Sequence, residues 1–298
     1  MNVFVQGMRR SGTTIVFDLF CEDPRFDTYY EPLAAANRRA VGGGSEIRQV
    51  DFFDKIRACR MAFMQGCQQV GSPDLLNYGA PRDPELEFET DLPGYCRDYI
   101  RYLLSQAQDT VIKFTRAYCK VRVLAELDPN AKFVHVVRDP RALTTSYLFG
   151  KGRKNAHRFP TEDSFFRSVS QRTAWSSYPL SEHILRTPEY EHLQGCEDFF
   201  RILVLWKYTF RKTREAALAC FGDDYFLLKH EALVADPIPT LDALQQFLSQ
   251  PQASRVRAWA MAHVRPGPEP YAADSSKWRE AFRRLDLEED LAAAGYEC

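Results

Sequence analysis

The sequence has no long apolar run and no surplus of charge of either sign. Its apolar stretches, of which Ile202–Trp206 is among the longest, fall far short of the roughly 20 residues that a membrane-spanning helix needs, so we expect no membrane span. The net charge of −1 provides no overall positive field, and nucleic acid is therefore not an expected partner. The first apolar run is short and charged residues follow it at once, which is not the pattern of a signal peptide.

Paired cysteines are also missing. The eight cysteines are scattered along the chain, and no two of them have the C-x-x-C spacing of a metal or redox site. Scattered cysteines in a chain of this size are typical of buried thiols in a reducing compartment. We therefore predict a cytoplasmic protein and expect no metal.

Neither an internal repeat nor a linker-like segment divides the chain. Its 298 residues are enough to bury a substantial core. We therefore predict one domain over residues 1–298, and a homo-oligomer is compatible with the sequence.

Short runs of β-branched and aromatic residues alternate with stretches of helical periodicity. The predicted strands are Val3–Gln6, Phe26–Tyr30, Thr110–Phe114, Lys132–Val137 and Tyr225–Lys229. Strands separated by helices predict an α/β fold, with a P-loop-like central parallel β-sheet of about five strands flanked by helices. Two stretches, at about 41–108 and about 150–200, break this alternation and are predicted to be insertions that cover the substrate. The first of them begins with a flexible loop at Gly42–Ser45.

The first strand runs into a loop bracketed by Gly7 and Gly12, and apolar residues at helical spacing follow Thr14. A strand, a glycine-bracketed loop and a helix can hold a phosphate, because converging backbone N–H groups and the helix N-terminus both attract an anion. The pattern departs from the motif G-x-x-x-x-G-K-[ST], since Thr13 stands at the lysine position and Arg10 lies inside the loop. The alternative is a tight strand-to-helix turn with incidental arginines.

Two other predicted strands end in residues suited to binding or chemistry. Glu31 precedes Pro32, which favours extended backbone, and should therefore end the second strand. Arg138 ends the fourth strand, directly before Asp139 and Pro140, a good N-cap and a good first helical residue. Because α/β proteins bind ligands at the carboxyl ends of parallel strands, Glu31 and Arg138 are expected at the ligand-binding edge.

Together these motifs resemble those of sulfotransferases that use 3′-phosphoadenosine 5′-phosphosulfate (PAPS). Gly7–Thr14 resembles the family's 5′-phosphosulfate loop, and Val136–Ser146 is similar to its 3′-phosphate motif. Lys113–Arg116 looks like the strand between them. Lys229–Pro237 and Ser276–Arg279 resemble the late strand and turn of the microbial branch and its C-terminal cofactor-facing segment. The segments follow the family's order over nearly the whole chain.

The resemblance implies transfer of a sulfuryl group from PAPS to an acceptor hydroxyl, on a small molecule or a carbohydrate, by in-line attack. It assigns cofactor binding to the loop, to the end of the fourth strand and to the C-terminal segment. The residues are Arg9, Arg10, Ser11, Gly12, Thr13, Thr14, Arg138, Ser146, Lys277, Trp278 and Arg279. Two anion sites are implied, one for each end of the donor, and no metal is expected, because sulfuryl transfer needs no ion that bridges phosphates.

Three catalytic residues are also implied. Glu31 matches the glutamate after the second strand that serves as general base. Arg10 is the first candidate, and Lys113 the second, for the cation that stabilises negative charge developing on the 5′-phosphate oxygen. An alternative for Glu31 is a structural ion pair with a loop arginine such as Arg9.

Two other functions stay open on the sequence. A metal-dependent P-loop nucleotide or sugar kinase would need Mg²⁺, and a non-catalytic nucleotide-binding protein would bind adenosine bisphosphate without turning over an acceptor. Among the histidines, His135 lies in an apolar strand and is expected in the core. His157, His183 and His192 stay open as acceptor contacts.

Overall fold

The computed structural model describes residues 1–34, 47–67, 71–78, 84–170, 177–251 and 253–297, and in these ranges five strands form one sheet. The strands are β1 (Asn2–Gln6), β2 (Asp27–Tyr30), β3 (Thr110–Phe114), β4 (Lys132–Val137) and β5 (Tyr225–Lys229). Their order is β2-β3-β1-β4-β5, and every pairing is parallel. The predicted α/β fold around a parallel sheet is confirmed.

Helices occupy most of the remaining described chain. The α-helices are α1 (Thr13–Cys21), α2 (Ile47–Gly66), α3 (Pro84–Phe88), α4 (Gly94–Leu104), α5 (Val121–Leu127), α6 (Pro140–Phe149), α7 (Glu162–Phe166), α8 (Tyr178–Ile184), α9 (Asp198–Phe221), α10 (His230–Ala235), α11 (Pro237–Leu248), α12 (Ser254–His263), α13 (Ser276–Arg284) and α14 (Glu288–Ala294). Single 3-10 turns lie at Pro73–Leu76, Lys151–Arg153, Ala156–Arg158, Glu191–Leu193 and Gly222–Asp224. None of the helices so described is long and apolar enough to cross a membrane.

Helices cover both faces of the sheet. Val3 and Val5 of β1 share a core cluster with residues of α1, α11 and α12, whereas Phe4 belongs to a cluster formed with α4, α5 and the end of α9. Successive strand residues point to opposite faces, so a sheet covered on both sides needs nearly continuous apolar strands. A third cluster joins α6, α9, α13 and α14.

The first predicted insertion contains helices that pack into the core. Ile56 and Phe63 of α2 and Tyr99 of α4 share a cluster with Tyr29 of β2. The predicted Gly42–Ser45 loop lies outside the described residues. That the two predicted insertions, at about 41–108 and about 150–200, cover the substrate stays a prediction.

The strand order places a crevice above the centre of the sheet. β3 and β2 lie on one side of β1, and β4 and β5 lie on the other. Where the order reverses in this way, the loops at the carboxyl ends of the strands diverge and leave room for a ligand. The loop after β1, Glu31 after β2, Lys113 near the end of β3, Arg138 after β4 and His230 after β5 all lie at this edge.

Candidate active site

The loop between β1 and α1 approaches its neighbours so closely that glycine is required at two positions. A Cβ on Gly7 would collide with the carbonyl oxygen of Val136, and a Cβ on Gly12 would collide with the ring of His230. Gly12 also has a φ of +92°, which glycine adopts without strain. Because the first N–H groups of a helix have no partner within the helix, the junction of this loop with α1 is suited to bind an anion.

Arg10 connects the loop to the second turn of α6. Its Nε donates to Oγ of Ser146 at 2.8 Å, and Nη1 of Arg138 donates to the carbonyl oxygen of Arg10 at 3.1 Å. The two predicted anion sites are therefore joined through Arg10. Burial lowers the pKa of Arg10, and the positive charges of Arg9 and Arg138 lower it further. An anion placed among these guanidinium groups would offset their repulsion.

Arg138 follows β4, and its side chain is 13% exposed. Its Nε is buried without a hydrogen-bond partner and lies 3.9 Å from Oε1 of Glu231. Burial lowers the pKa of Arg138, an effect that Glu231 opposes. A Cβ on Gly267 would come within 3.4 Å of Nη2, so the C-terminal loop passes beside the guanidinium. Arg138 thus combines a fixed position with donor capacity that the protein leaves unused.

Glu231 connects the end of β4 to the C-terminal residues through two hydrogen bonds. Its Oε1 accepts the backbone N–H of Asp139 at 3.1 Å, and its Oε2 accepts the hydroxyl of Tyr296 at 2.6 Å. On the other side, Nε1 of Trp206 donates to the carbonyl oxygen of Arg138 at 3.0 Å. These bonds attach the end of β4 to α9, α10 and the C-terminal residues, and so hold the backbone that carries Arg138.

His230 is a site residue that the sequence reasoning missed. It is 6% exposed, it lies against Gly12, and its Nδ1 has no hydrogen-bond partner. Burial lowers the pKa of His230 to about 4, and the charge of Arg138 acts in the same direction. The imidazole is therefore neutral near pH 7. The sequence does carry a signal for His230: it directly follows the fifth predicted strand and therefore lies at the same sheet edge as the loop.

Among the residues that the structure describes, three side chains in the loop and directly after β4 and β5 each have a buried polar atom without a hydrogen-bond partner. The atoms are Oγ of Ser11, Nε of Arg138 and Nδ1 of His230. Buried polar atoms are normally hydrogen-bonded. Unpartnered atoms beside a phosphate loop therefore fit a ligand whose anionic oxygens complete their hydrogen bonds. Thr13 is buried as the first residue of α1, and Oγ1 of Thr14 lies 3.3 Å from the hydroxyl of Tyr30.

Glu31 is held by the end of β3. Its Oε1 accepts Nζ of Lys113 and Oγ1 of Thr115, both at 2.7 Å, and its Oε2 accepts the N–H of Thr115 at 3.3 Å. Burial lowers the pKa of Lys113, but Glu31 and the hydroxyl of Tyr30 together outweigh burial, and the net shift is upward. Among the described residues, Oε2 accepts a single long bond, and it is therefore the oxygen better placed to accept a hydrogen bond from a ligand.

The turn that carries Glu31 is clamped from α2. The prediction that Glu31 has extended backbone and ends the second strand is wrong: Glu31 follows β2 and has a left-handed backbone with a φ of 47°. Arg60, which is 2% exposed, donates from Nη2 to the carbonyl oxygens of Pro32 and Ala34, both at 2.6 Å. Its Nη1 donates to Oδ1 of Asn77 at 2.6 Å. This buried guanidinium fixes the segment immediately after the carboxylate.

A recess of about 340 Å³, part of it open to solvent, adjoins Glu31. Most of the residues that line it are apolar. Besides Glu31 they are Leu33, Tyr78, Leu92, Phe114, Arg116, Ala117, Lys120 and Leu124. The N–H of Ala117 donates to Oε1 of Gln6 at 3.2 Å, and Gln6 directly precedes the phosphate loop. The recess and the loop are therefore neighbours at the sheet edge.

The predicted C-terminal cofactor residues lie on α13. Trp278 is 1% exposed and packs against the rings of Phe166 and Phe199, which makes it a core residue. Nζ of Lys277 lies 3.4 Å from Oδ1 of Asp163, and Arg279 is exposed. A cofactor role for these three residues stays a prediction.

The histidines separate into core and surface positions. His135 is 3% exposed, its Nδ1 lies 3.1 Å from the hydroxyl of Tyr225, and burial lowers its pKa to about 3. Its prediction as a core residue is confirmed. His157 and His192 are exposed, and His183 stacks on Phe88 with 4.2 Å between ring centroids.

Within the ranges that the structure describes, no group of three His, Cys, Asp or Glu side chains could hold a metal ion. The sheet, its glycine-bracketed loop and the buried guanidinium groups define an α/β protein whose carboxyl edge is suited to a phosphate-bearing ligand.

Comparison with known proteins identifies the family. A family model described as "Sulfotransferase family" matches residues 2–186, more than half of the chain, and the protein therefore belongs to the sulfotransferase family. It is a transferase enzyme, and the kinase alternative is not favoured. No curated relative matches the sequence.

Two solved structures show the same fold. The sulfotransferase STF9 from Mycobacterium avium has a TM-score of 0.55 and 16% identity, over 99% of this chain and 77% of that one. The sulfotransferase STF1 from Mycobacterium tuberculosis has a TM-score of 0.53 and 15% identity, over 95% of this chain and 76% of that one. At these identities the likeness concerns the fold.

Proposed function

We propose that the protein transfers a sulfuryl group from PAPS to an acceptor hydroxyl. The observation that supports this best is the edge of the sheet itself. There a phosphate loop, with guanidinium groups and unpartnered polar atoms around it, adjoins a carboxylate that Lys113 and Thr115 hold in place.

The donor would be held along the loop, the residue that follows β4 and the second turn of α6. The N–H groups at the N-terminus of α1, with Thr13 and Thr14, suit the 5′-phosphosulfate. Arg138 and Ser146 suit the 3′-phosphate, because a guanidinium can bind phosphate through two parallel hydrogen bonds. Bound PAPS supplies an activated sulfuryl group whose bridging oxygen leaves on the 5′-phosphate.

Glu31 would take the proton of the acceptor hydroxyl, and cations would offset the charge on the leaving phosphate. Arg10 is the first candidate for this cation, since it lies in the loop itself. Lys113 is committed to Glu31 by the 2.7 Å ion pair, so it also positions the base. The cytoplasmic location and the oligomeric state stay predictions.

The test is binding of adenosine 3′,5′-bisphosphate by calorimetry and thermal shift, with EDTA present. A ligand at 100 times its Kd should stabilise the folded protein by about 2.7 kcal/mol, because it binds only that state. ATP with Mg²⁺ serves as the comparison. Tight bisphosphate binding that EDTA does not weaken supports the proposal, whereas binding of ATP alone, dependent on Mg²⁺, would contradict it.

A further inference from the structure

We infer that Tyr296 is a positioning residue for the donor site: its hydroxyl keeps the Glu231 carboxylate off the Arg138 guanidinium, which therefore stays available for the 3′-phosphate of the donor. This inference rests on the proposed use of PAPS and adds a residue that lies outside the sequence motifs. Its evidence is the geometry of the three side chains, which meet at the carboxyl ends of β4 and β5.

The gap between Arg138 and Glu231 is the first observation. Nε of Arg138 lies 3.9 Å from Oε1 of Glu231, whereas a guanidinium and a carboxylate that share a hydrogen bond approach to about 2.7–2.9 Å. The Arg138 side chain is 13% exposed, and within the described ranges its Nε has no hydrogen-bond partner. Because buried charges are normally paired, other groups must hold the neighbouring carboxylate back.

Both oxygens of Glu231 accept hydrogen bonds from other donors. Oε1 accepts the backbone N–H of Asp139 at 3.1 Å, and a carboxylate held there alone can still turn about that bond. Oε2 accepts the hydroxyl of Tyr296 at 2.6 Å, and this second bond fixes the orientation of the carboxylate. Burial and the charge of Glu231 raise the pKa of Tyr296, so the hydroxyl stays protonated near neutral pH and remains a donor.

Tyr296 is itself held by the elements on both sides of it. Its N–H donates to the carbonyl oxygen of Leu291 in α14 at 2.8 Å. Nζ of Lys229, the last residue of β5, lies 4.6 Å from the centre of the Tyr296 ring and donates to the carbonyl oxygen of Gly295. These contacts fix the ring beside the end of β5, and the hydroxyl is therefore set in place for Glu231.

Loss of the Tyr296 hydroxyl would release one oxygen of the Glu231 carboxylate. Glu231 could then turn about its bond to Asp139 and pair with Arg138. The carboxylate and the 3′-phosphate of a ligand would compete for the same guanidinium, since both are anions that accept its hydrogen bonds. The competition should weaken binding of adenosine 3′,5′-bisphosphate and leave binding of AMP, which has no 3′-phosphate, unaffected.

The test is calorimetric titration of the bisphosphate and of AMP into Tyr296→Phe, Glu231→Gln and the double variant. Tyr296→Phe should bind the bisphosphate about five- to tenfold more weakly than the wild type, within the range of coupling between contacting side chains, and should bind AMP equally well. Glu231→Gln should bind the bisphosphate no more weakly than the wild type, because the competing charge is removed. The double variant should recover the affinity of Glu231→Gln, a rescue that a merely structural role of Tyr296 would not produce.

Tyr225→Phe is the matched control. It removes a tyrosine hydroxyl that lies 3.1 Å from Nδ1 of His135, and Tyr225 is the first residue of β5, at the opposite end of that strand from the site. Both affinities should stay within about twofold of the wild type, because this contact is independent of the site. Tyr296→Leu lacks the same hydroxyl as Tyr296→Phe and replaces that variant if it does not fold.

Three results would overturn the inference and leave the proposed function standing. They are an unchanged bisphosphate affinity in Tyr296→Phe, an equal loss of affinity for AMP, and a double variant that binds as weakly as Tyr296→Phe. If the wild type itself does not bind the bisphosphate, the proposed function fails, and the inference fails with it.

Discussion

Arg138→Ala is the substitution whose effect the structure defines most closely. The guanidinium presents an unpartnered Nε, and Nη2 lies beside Gly267, while Nη1 is used on the carbonyl oxygen of Arg10. We therefore expect Nε and Nη2 to donate to a phosphate of the ligand. Hydrogen bonds to charged groups contribute about 1.5–3 kcal/mol, which corresponds to a loss of affinity of about 10- to 150-fold.

The assay is calorimetric titration of adenosine 3′,5′-bisphosphate and of AMP, which lacks the 3′-phosphate. In the wild type the bisphosphate should bind more tightly than AMP. In Arg138→Ala that preference should disappear, because the lost bonds are those to the 3′-phosphate.

Arg141→Ala is the matched control for this titration. It removes an equal charge three residues after Arg138, in the first turn of α6, but the Arg141 guanidinium is ion-paired with Asp139 at 2.7 Å. We expect its bisphosphate affinity to stay within about threefold of the wild type, since the bonds it loses are to Asp139 and not to the ligand. Equal losses for both ligands in Arg138→Ala would refute the reasoning and make Arg138 a structural residue.

Three further predictions concern stability. Gly12→Ala places a Cβ against His230 at a positive φ and should cost about 1–2 kcal/mol, seen as a lower urea midpoint and weaker bisphosphate binding. Arg60→Ala leaves buried carbonyl groups unsatisfied and should cost about 3 kcal/mol or more, with a fall in kcat because the Glu31 turn loosens. Burial lowers the pKa of His135 from 6.5 to about 3, so the unfolded state binds more protons between these values and stability should fall as the pH drops through that window. Urea unfolding of His135→Gln at pH 7 and pH 5 should show a smaller fall than in the wild type. Normal stability of the Gly12 variant would contradict the first prediction, and a normal kcat of the Arg60 variant would contradict the second. A pH dependence of stability in His135→Gln equal to that of the wild type would contradict the third.

Much of the fold could be predicted because local signals agreed with the tertiary structure. The strands are short, apolar and bounded by turns, and all five predicted ranges match the observed bounds to within one residue. The glycine pair of the phosphate loop was informative because only glycine fits both positions. The resemblance of the motifs then indicated the family.

The contacts that complete the site could not be predicted, because they join residues far apart in the chain. Arg10 and Ser146 are separated by 136 positions, and nothing near either residue indicates that one binds the other. Arg60 likewise lies on a helix within a predicted insertion, 28 residues from the carbonyl group it holds. Trp278 shows a different limit: its sequence neighbourhood resembles a cofactor segment, but the sequence does not indicate that its ring packs in the core, and its cofactor role stays a prediction.

The central claim is that a carboxylate-assisted sulfuryl transfer takes place at this edge, and single-turnover transfer by Glu31→Gln tests it most directly. The measurement follows labelled sulfuryl from PAPS to an acceptor found in a screen of hydroxyl compounds with the wild type, in EDTA, beside bisphosphate binding by the same variant. Removal of a general base costs about 10²–10⁴-fold in rate, so transfer should collapse while binding stays near that of the wild type. A fall of less than about tenfold, below the range expected for a general base, would contradict the role of Glu31.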